Sequence, residues 1–287
     1  MFKWVEIGLE VNKNRYETLS RFMIENQFQN EVHFLTTNSD DFSKNLNEVL
    51  KNFDGVRIGR GCGEMVLSSI HTQAALVQKI KAADAVVKAN GTWWLRANAV
   101  DGFFRILNQV GEKLDLESHV LVVGVGAAAR VAVTSLFMLG FKNFSISNID
   151  VGKATEAVKD LQKSHMGAHF KIVAKDRLIS LPGLYGVLVN TTPLVAENPM
   201  LEELYYFNFF KTGGVAIDFS ISPIETPLLR AAKDVGALCI YGYQISAITD
   251  MIWAEQVAGR AFAENVYLDL LREALDDSEP NVSKKPD

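Results

Sequence analysis

Three groups of residues in this chain have types and spacings that can do chemistry. The first is Gly124-Val125-Gly126-Ala127-Ala128-Ala129, a G-x-G-x-x-A turn fed by the apolar run Val120 to Val123. Gly124 allows a tight turn, Gly126 lets backbone N–H groups approach a diphosphate, and Ala129 lets the next helix pack close to the strand. A diphosphate would rest on that helix's N-terminus, where unpaired N–H groups and the dipole favour anions. Asp150 lies about twenty residues on, where an acid that holds an adenosine ribose is expected. The second group is Asn190, Thr191, Thr192 and Asp218, at the ends of two apolar runs. The third is Asp101, ahead of Gly102, together with the basic glycine loop Arg57-Ile58-Gly59-Arg60-Gly61-Cys62-Gly63.

The elements that must position these groups alternate. Trp4 to Val11, Val32 to Thr36 and Gly55 to Gly59 read as strands, and Arg15 to Glu25 and Phe42 to Phe53 as helices. After the glycine loop a helical stretch reaches about Lys81, and Asn90-Gly91 turns a hairpin between Ala85 to Val87 and Thr92 to Ala97. Phe103 to Val110 reads as a helix opened by Asp101-Gly102. From Val120 the order is strand, helix stopped by Gly140, and a strand over Phe144 to Ile149; Lys153 to Lys163 then reads as a helix. Strands follow at Ala168 to Val173, Tyr185 to Asn190, Gly214 to Phe219 and Ala237 to Tyr241, with a helix over Pro227 to Val235. Gln244 to about Glu273 reads as one long helix returning to the first half, and residues 276–287 as a flexible tail. The fold class is therefore α/β. An N-terminal α/β domain at 1–102, completed by C-terminal helices at 244–275, is joined to a doubly wound dinucleotide-binding domain at 103–243. Ligands in open α/β sheets gather outside the carboxyl ends of the strands, which brings Asn190, Thr191, Thr192 and Asp218 into Gly124's neighbourhood.

The chain's 287 residues, 48% of them hydrophobic, are enough for two cored domains. A net charge of -5 and a pI near 5.6 argue against a nucleic-acid backbone or an anionic membrane as main partner. Cys62 and Cys239 are the two cysteines and lie far apart, which suits a reducing cytoplasm and gives neither a disulfide framework nor a zinc cluster. The N-terminal stretch lacks the apolar core of a signal peptide, so a cytoplasmic location is expected. His165 and His169 have i, i+4 spacing, but Gly167 between them argues against a rigid helical pair, and no metal is expected.

The order of Asp101-Gly102, GVGAAAR, NTTP, IDFSISPIETPLL and GYQISAITDMIW resembles shikimate dehydrogenase, from about Phe103 to Gly259. The resemblance implies a substrate domain joined to a Rossmann domain, reduction of 3-dehydroshikimate with a nicotinamide cofactor, and a place in aromatic amino acid biosynthesis. It implies cofactor contacts by Gly124, Gly126, Arg130, Asn190, Thr191, Thr192, Pro193 and Gly242 and a catalytic role for Asp101, although the family's further turn glycine is Ala127 here and the glycine after its T-P-L is Val195; Ala127, Ala129, Asn148 and Asp150 complete the cofactor-site candidates. NADP-binding relatives carry N-R-T where this chain has Asn148-Ile149-Asp150, so NAD is expected over NADP. The small-molecule partner implied is an acid, and the reading allows a homodimer.

The substrate half departs from that pattern. The family's S-x-S-P motif faces Gly8 to Arg15 without serine, and the catalytic lysine of N-V-T-x-P-x-K falls on Gly63. The asparagine of N-T-D-G falls on Ala99 with Asn98 beside it, the family tyrosine on Ile221 and the last-helix glutamine on Thr249. Arg57, Arg60, Asn98 and Thr249 are the substrate-binding candidates, with Lys13 a further candidate for the lysine's role. A positioned acid or base is worth about 10² to 10⁴ in rate, so its loss together with the carboxylate grip points to a changed substrate.

Plainer readings stand beside these. The glycine turn could serve an α/β crossover that needs small residues, Asp101 could be a helix cap, and GRGCG could be a tight loop or an anion nest. Cys62 reads as a loop thiol and Trp93 and Trp94 as hairpin packing. Two function classes follow: a nicotinamide-dependent dehydrogenase of a shikimate-like acid, or a nucleotide-binding pseudoenzyme or sensor.

Overall fold

The architecture comes from a computed structural model that describes residues 1–193, 200, 204, 205 and 207–276. The first sheet contains β1 (Phe2–Gly8), β2 (Asn30–Thr36), β3 (Gly55–Ile58), β4 (Ala85–Ala89) and β5 (Thr92–Arg96), in the order β2-β1-β3-β4-β5. β2, β1 and β3 run parallel, and β4 and β5 antiparallel. Alternation along β1 sends Val5 and Ile7 to one core and Trp4 to another on the opposite face. Glu6 shares Trp4's face and sits level with Arg57 on β3. Between the parallel strands run α1 (Lys13–Glu25), capped by the Asn12 side chain, and α2 (Phe42–Asn52).

The stretch expected as one helix up to Lys81 is divided. A short 3₁₀ turn over Met65–Ser68 is followed by extended chain at Thr72 to Ala74 that bonds to Leu95, and then by α3 (Ala75–Ile80). Backbone demand at the β5 edge thus overrides helical spacing. α4 (Asn98–Gln109) starts five residues before the expected Phe103 and runs straight across the expected domain boundary.

The second sheet contains β6 (His119–Val123), β7 (Asn143–Ser147), β8 (His169–Val173), β9 (Tyr185–Asn190), β10 (Phe210–Asp218) and β11 (Leu238–Tyr241). All its strands are parallel, in the order β11-β10-β9-β6-β7-β8. α5 (Ala127–Leu139), α6 (Val151–Ser164) and α7 (Pro227–Asp234) cover it. The chain leaves β6 toward β7 on one side and later returns to β9 on the other, so the order reverses between β6 and β9. A crevice therefore opens at their carboxyl ends, directly above the glycine turn. This is the expected pairing of a smaller α/β layer with a doubly wound Rossmann sheet.

The expected long C-terminal helix is two. α8 (Gly242–Ala258) ends at Gly259, whose φ of 66° is the left-handed conformation that closes helices, and α9 (Glu264–Asp276) follows. α8 is buried along most of its length, with its Trp253 ring 4.6 Å from the Trp4 ring. α9 lays Tyr267 and Leu271 against the core that holds Phe22 of α1. Among the described residues no helix is long and apolar enough to cross a membrane. The expected tail lies, after Asp276, outside the described residues.

Candidate functional site

The crevice holds a cavity of about 710 Å³ lined in part by Gly124, Gly126, Arg130, Asn148, Asp150, Thr191, Thr192 and Pro193. Gly124 has φ of 109°, and a side chain there would collide with Thr191 Oγ1, so its conformation and the closeness of the two loops both require glycine. Gly126 is the N-cap of α5, supplies no side-chain cap, and has open space where a Cβ would stand. The first-turn N–H groups of α5 therefore face the cavity rather than a capping side chain, as a diphosphate cradle needs. Ala127 opens α5 and the buried Ala129 lies against the sheet. Asp150 is the N-cap of α6, where its Oδ1 accepts the Lys153 N–H at 3.0 Å, and Asn148 Nδ2 donates to the Asp150 carbonyl at 3.0 Å. Ile149 between them is exposed. Lys153 and Glu64 also line the cavity; sequence reasoning passed over both.

A buried network sets the loop after β9. Asn190 is fully buried, donates to Asp218 Oδ2 at 3.1 Å, and accepts from the N–H and hydroxyl of Thr192 at 3.0 and 2.7 Å. Asp218 also accepts from Thr226 Oγ1 at 2.9 Å and from the Ser220 N–H at 2.9 Å. Thr191 returns its N–H and hydroxyl to the Val123 carbonyl at 2.9 and 2.8 Å. Asn190 and Asp218 thus shape the loop from below, while Thr191, Thr192 and Pro193 face the cavity. Gly242 begins α8 where any side chain would strike the Ser220 backbone. Arg130 turns toward the first sheet: its Nη1 donates to the Ile80 and Lys81 carbonyls, each at 3.4 Å, and its Nη2 lies 3.2 Å from Glu64 Oε1.

The substrate-side candidates do not converge in this way. Arg57 is buried, with its Nε on the Tyr16 hydroxyl at 3.2 Å, its Nη2 on Asp250 Oδ1 at 3.2 Å, and its Nη1 3.9 Å from Asp84 Oδ1. Arg60 is exposed and paired with Glu10 at 2.8 Å. Asn98 exchanges amide hydrogen bonds with Gln256, at 3.0 and 3.3 Å, and Thr249 packs on Gly102 with its hydroxyl on the Ile245 carbonyl at 2.7 Å. A substrate would have to displace internal partners from Arg57, Asn98 or Thr249. Lys13 stands exposed at the first position of α1.

Asp101 is not the cap of α4. That place is Ala97, without a side-chain bond, and Asp101 sits inside the first turn, half-buried. No side-chain hydrogen bond reaches its carboxylate among the described residues. Burial raises its pKa, while the charges of Arg105 and Arg96 pull the other way. The glycine loop is tight: Leu9 N–H donates to the Arg60 carbonyl at 3.0 Å, and a side chain at Gly61 would strike Leu9. Cys62 is fully buried, and that burial pushes its thiol up. His165 is buried with Nε2 on Thr134 Oγ1 at 3.0 Å and Nδ1 on the Leu161 carbonyl at 2.9 Å, so both ring nitrogens are engaged.

What sequence reasoning missed is a buried charged cluster on the sheet face beneath α8. Arg15 grips Asp250 with two bonds of 2.7 Å, and Tyr267 donates to Asp250 Oδ2 at 3.0 Å. Glu6, 3% exposed, accepts the Asn12 N–H at 2.7 Å, and its carboxyl is raised to about 7 by burial, against the opposing pull of that bond and of Arg15 and Arg57. Two signals were available: one acid in the apolar strand WVEIG and one in the apolar helix ISAITDMIW.

No family model matches the chain. It is 28% identical over 211 residues to the shikimate dehydrogenase (NADP(+)) of Trichormus variabilis, covering 70% of this chain and 69% of that one. Its fold superposes on shikimate 5-dehydrogenase from Thermus thermophilus in complex with NADP(H) and shikimate with a TM-score of 0.78 at 20% identity, over 96% of this chain and all of the other. Quinate dehydrogenase from Corynebacterium glutamicum in complex with NAD gives 0.81 at 18% identity, over 95% and 99% of the two chains. By sequence over 70% of its length and by fold over nearly all of it, the chain is similar to shikimate dehydrogenases.

Proposed function

We propose that the chain is a nicotinamide-dependent oxidoreductase that interconverts a secondary alcohol and a ketone on a cyclic hydroxy acid or a close relative of one. The observation that carries this reading is the cavity at the β6–β9 crossover, where the glycine turn, the open α5 N-terminus and the Asn190 loop face one another. Its volume of about 710 Å³ is within the ordinary range of cofactor sites, and its donors are backbone N–H groups suited to a diphosphate. A bound nicotinamide would supply the hydride donor or acceptor. Asp101 would hold the hydroxyl proton, and the raised pKa of its half-buried carboxyl moves it toward the range in which a carboxylate works as a base near neutrality.

The cofactor preferred on this reading is NAD(H). Asp150 stands at the cavity rim with Ile149 beside it, and a 2′-phosphate about 5 Å from a carboxylate at effective dielectric near 40 is disfavoured by roughly 3 kcal/mol. Lys153 offsets part of that, since it lines the same cavity. The Trichormus relative is NADP(+)-dependent by name, so this preference separates the chain from it.

Shikimate itself is a poor fit. Arg57 and Arg15 already hold an internal carboxylate, Asp250, and Arg60 holds Glu10. Among the described residues Asp101 has no lysine partner, which also favours a second reading: a nucleotide-binding protein without turnover. One assay separates the two. The chain is incubated with NAD or NADP and a panel of cyclic hydroxy acids that includes shikimate and quinate, and nicotinamide fluorescence is followed. The expected result is turnover of one panel member with NAD at least about tenfold better than with NADP, and shikimate weak. Binding of NADH without turnover of any member favours the second reading, and tighter NADPH than NADH binding refutes the cofactor preference.

A further inference from the structure

Of the four carboxylates that line the dinucleotide cavity, Glu64, Asp150, Glu156 and Asp160, Glu64 is the one paired with Arg130. It belongs to the loop that follows β3, half exposed, and its side chain makes no cap to the 3₁₀ turn that begins beside it. Its carboxylate reaches across the junction between the two sheets to Arg130 Nη2 at 3.2 Å. Arg130 stands in the first turn and a half of α5, four residues after the N-cap Gly126, and its other terminal nitrogen is bound by the Ile80 and Lys81 carbonyls at the end of α3. All three of these Arg130 partners come from the first sheet's half of the molecule. The neighbouring Lys81 makes a parallel tie, to Asp160 of α6 at 2.8 Å.

We propose that Glu64 is a built-in counter-anion for Arg130 that competes with the diphosphate of a dinucleotide for the same guanidinium. Arg130 is the cation beside the open N-terminus of α5, and a diphosphate seated there would take up its remaining donors. Glu64 then faces a dianion across a short distance, so binding must either push the carboxylate out of the cavity or bear its repulsion. The pair is part exposed, and exposed ion pairs are individually weak, so the competition tunes affinity rather than abolishing binding. The two α3 carbonyl bonds to Arg130 remain, so the tie between the halves loosens without breaking. This inference rests on the dinucleotide reading above.

The test is a fluorescence titration of the full chain with NADH and with NADPH at low ionic strength, for wild type, Glu64→Gln and Glu10→Gln. Glu10→Gln removes another exposed, paired carboxylate from the adjoining loop, outside the cavity. The expected result is that Glu64→Gln binds NADH about 3- to 10-fold tighter than wild type, that the gain shrinks in about 0.5 M salt, and that Glu10→Gln stays within about twofold. Equal or weaker binding by Glu64→Gln overturns the proposal. So does an equal gain in Glu10→Gln, which would mean a diffuse charge effect and not competition for Arg130. No saturable binding of either nucleotide by either wild type or Glu64→Gln overturns the dinucleotide reading, and this inference with it.

Discussion

At the scale of single residues, the two acids that matter most are distinguished by their surroundings. Asp150 is exposed and spends one oxygen capping α6, and its other oxygen makes no hydrogen bond among the described residues. Asp101 is half-buried, has no hydrogen-bond donor on its carboxylate among the described residues, and carries a pKa raised by desolvation. A carboxylate so placed gains little from the native structure and is available to a substrate. Asp101→Asn keeps the shape of the group and removes its proton chemistry. The expected effect is a fall in kcat of about 10² or more on the substrate found by the panel, with NADH affinity unchanged within about twofold. Stopped-flow turnover and NADH titration read the two quantities separately. Because Asp101 is not the cap of α4, thermal stability should stay near wild type. A variant that loses stability but keeps its turnover would remove Asp101 from the chemistry.

At the scale of elements, most strands and helices of both halves were legible, but the contacts that hold the first half together were not, for a reason of sequence separation. The β6–α5–β7 unit announces itself because strand, turn, helix and acid are consecutive, and each boundary is marked by a residue with one job, such as Gly124 or Gly140. The first half is organised by pairs that no local pattern reveals. Arg15 meets Asp250 across 235 positions and Arg57 meets it across 193, so Arg57, expected as a substrate ligand, joins Arg15 in holding α1, β3 and α8 together. The C-terminal break was available in principle, since Gly259 ends the helical spacing; the apolar periodicity on both sides of it obscured the stop. Asp250 is then a structural anion. Asp250→Ala would leave two buried guanidinium groups and the Tyr267 hydroxyl without their shared acceptor. Loss of one partner from a buried pair costs about 3–5 kcal/mol, so the expected outcome in urea unfolding is a destabilisation of that size. A cost below about 1 kcal/mol would show that the cluster is not what joins these elements.

At the scale of the whole molecule, the same cluster makes stability depend on pH in a direction that can be worked out. Glu6 belongs to it, 3% exposed, with its carboxyl raised from 4.5 to about 7, chiefly by burial. Its proton is held more tightly in the folded chain than in the unfolded one. The stabilisation this gives is complete below about pH 4.5 and is lost as pH rises through about 7, where the folded chain must bear a buried charge. The full span is worth about 3 kcal/mol. His165 works in the opposite sense, because burial lowers its pKa and folding then weakens as pH falls below the imidazole's ordinary range. The two overlap in a wild-type profile, so the informative quantity is the difference between wild type and Glu6→Gln, in which His165 cancels. Glutamine mimics the protonated acid and can keep the bond from the Asn12 N–H. The two proteins should be nearly equal in stability at about pH 5, and the variant should become the more stable one as pH rises to about 8, by about 1–3 kcal/mol. Urea unfolding at several pH values measures this directly. If Arg15 and Arg57 instead hold Glu6 ionised through neutrality, Glu6→Gln will be the less stable protein at pH 8, because it would remove a carboxylate that two buried arginines use.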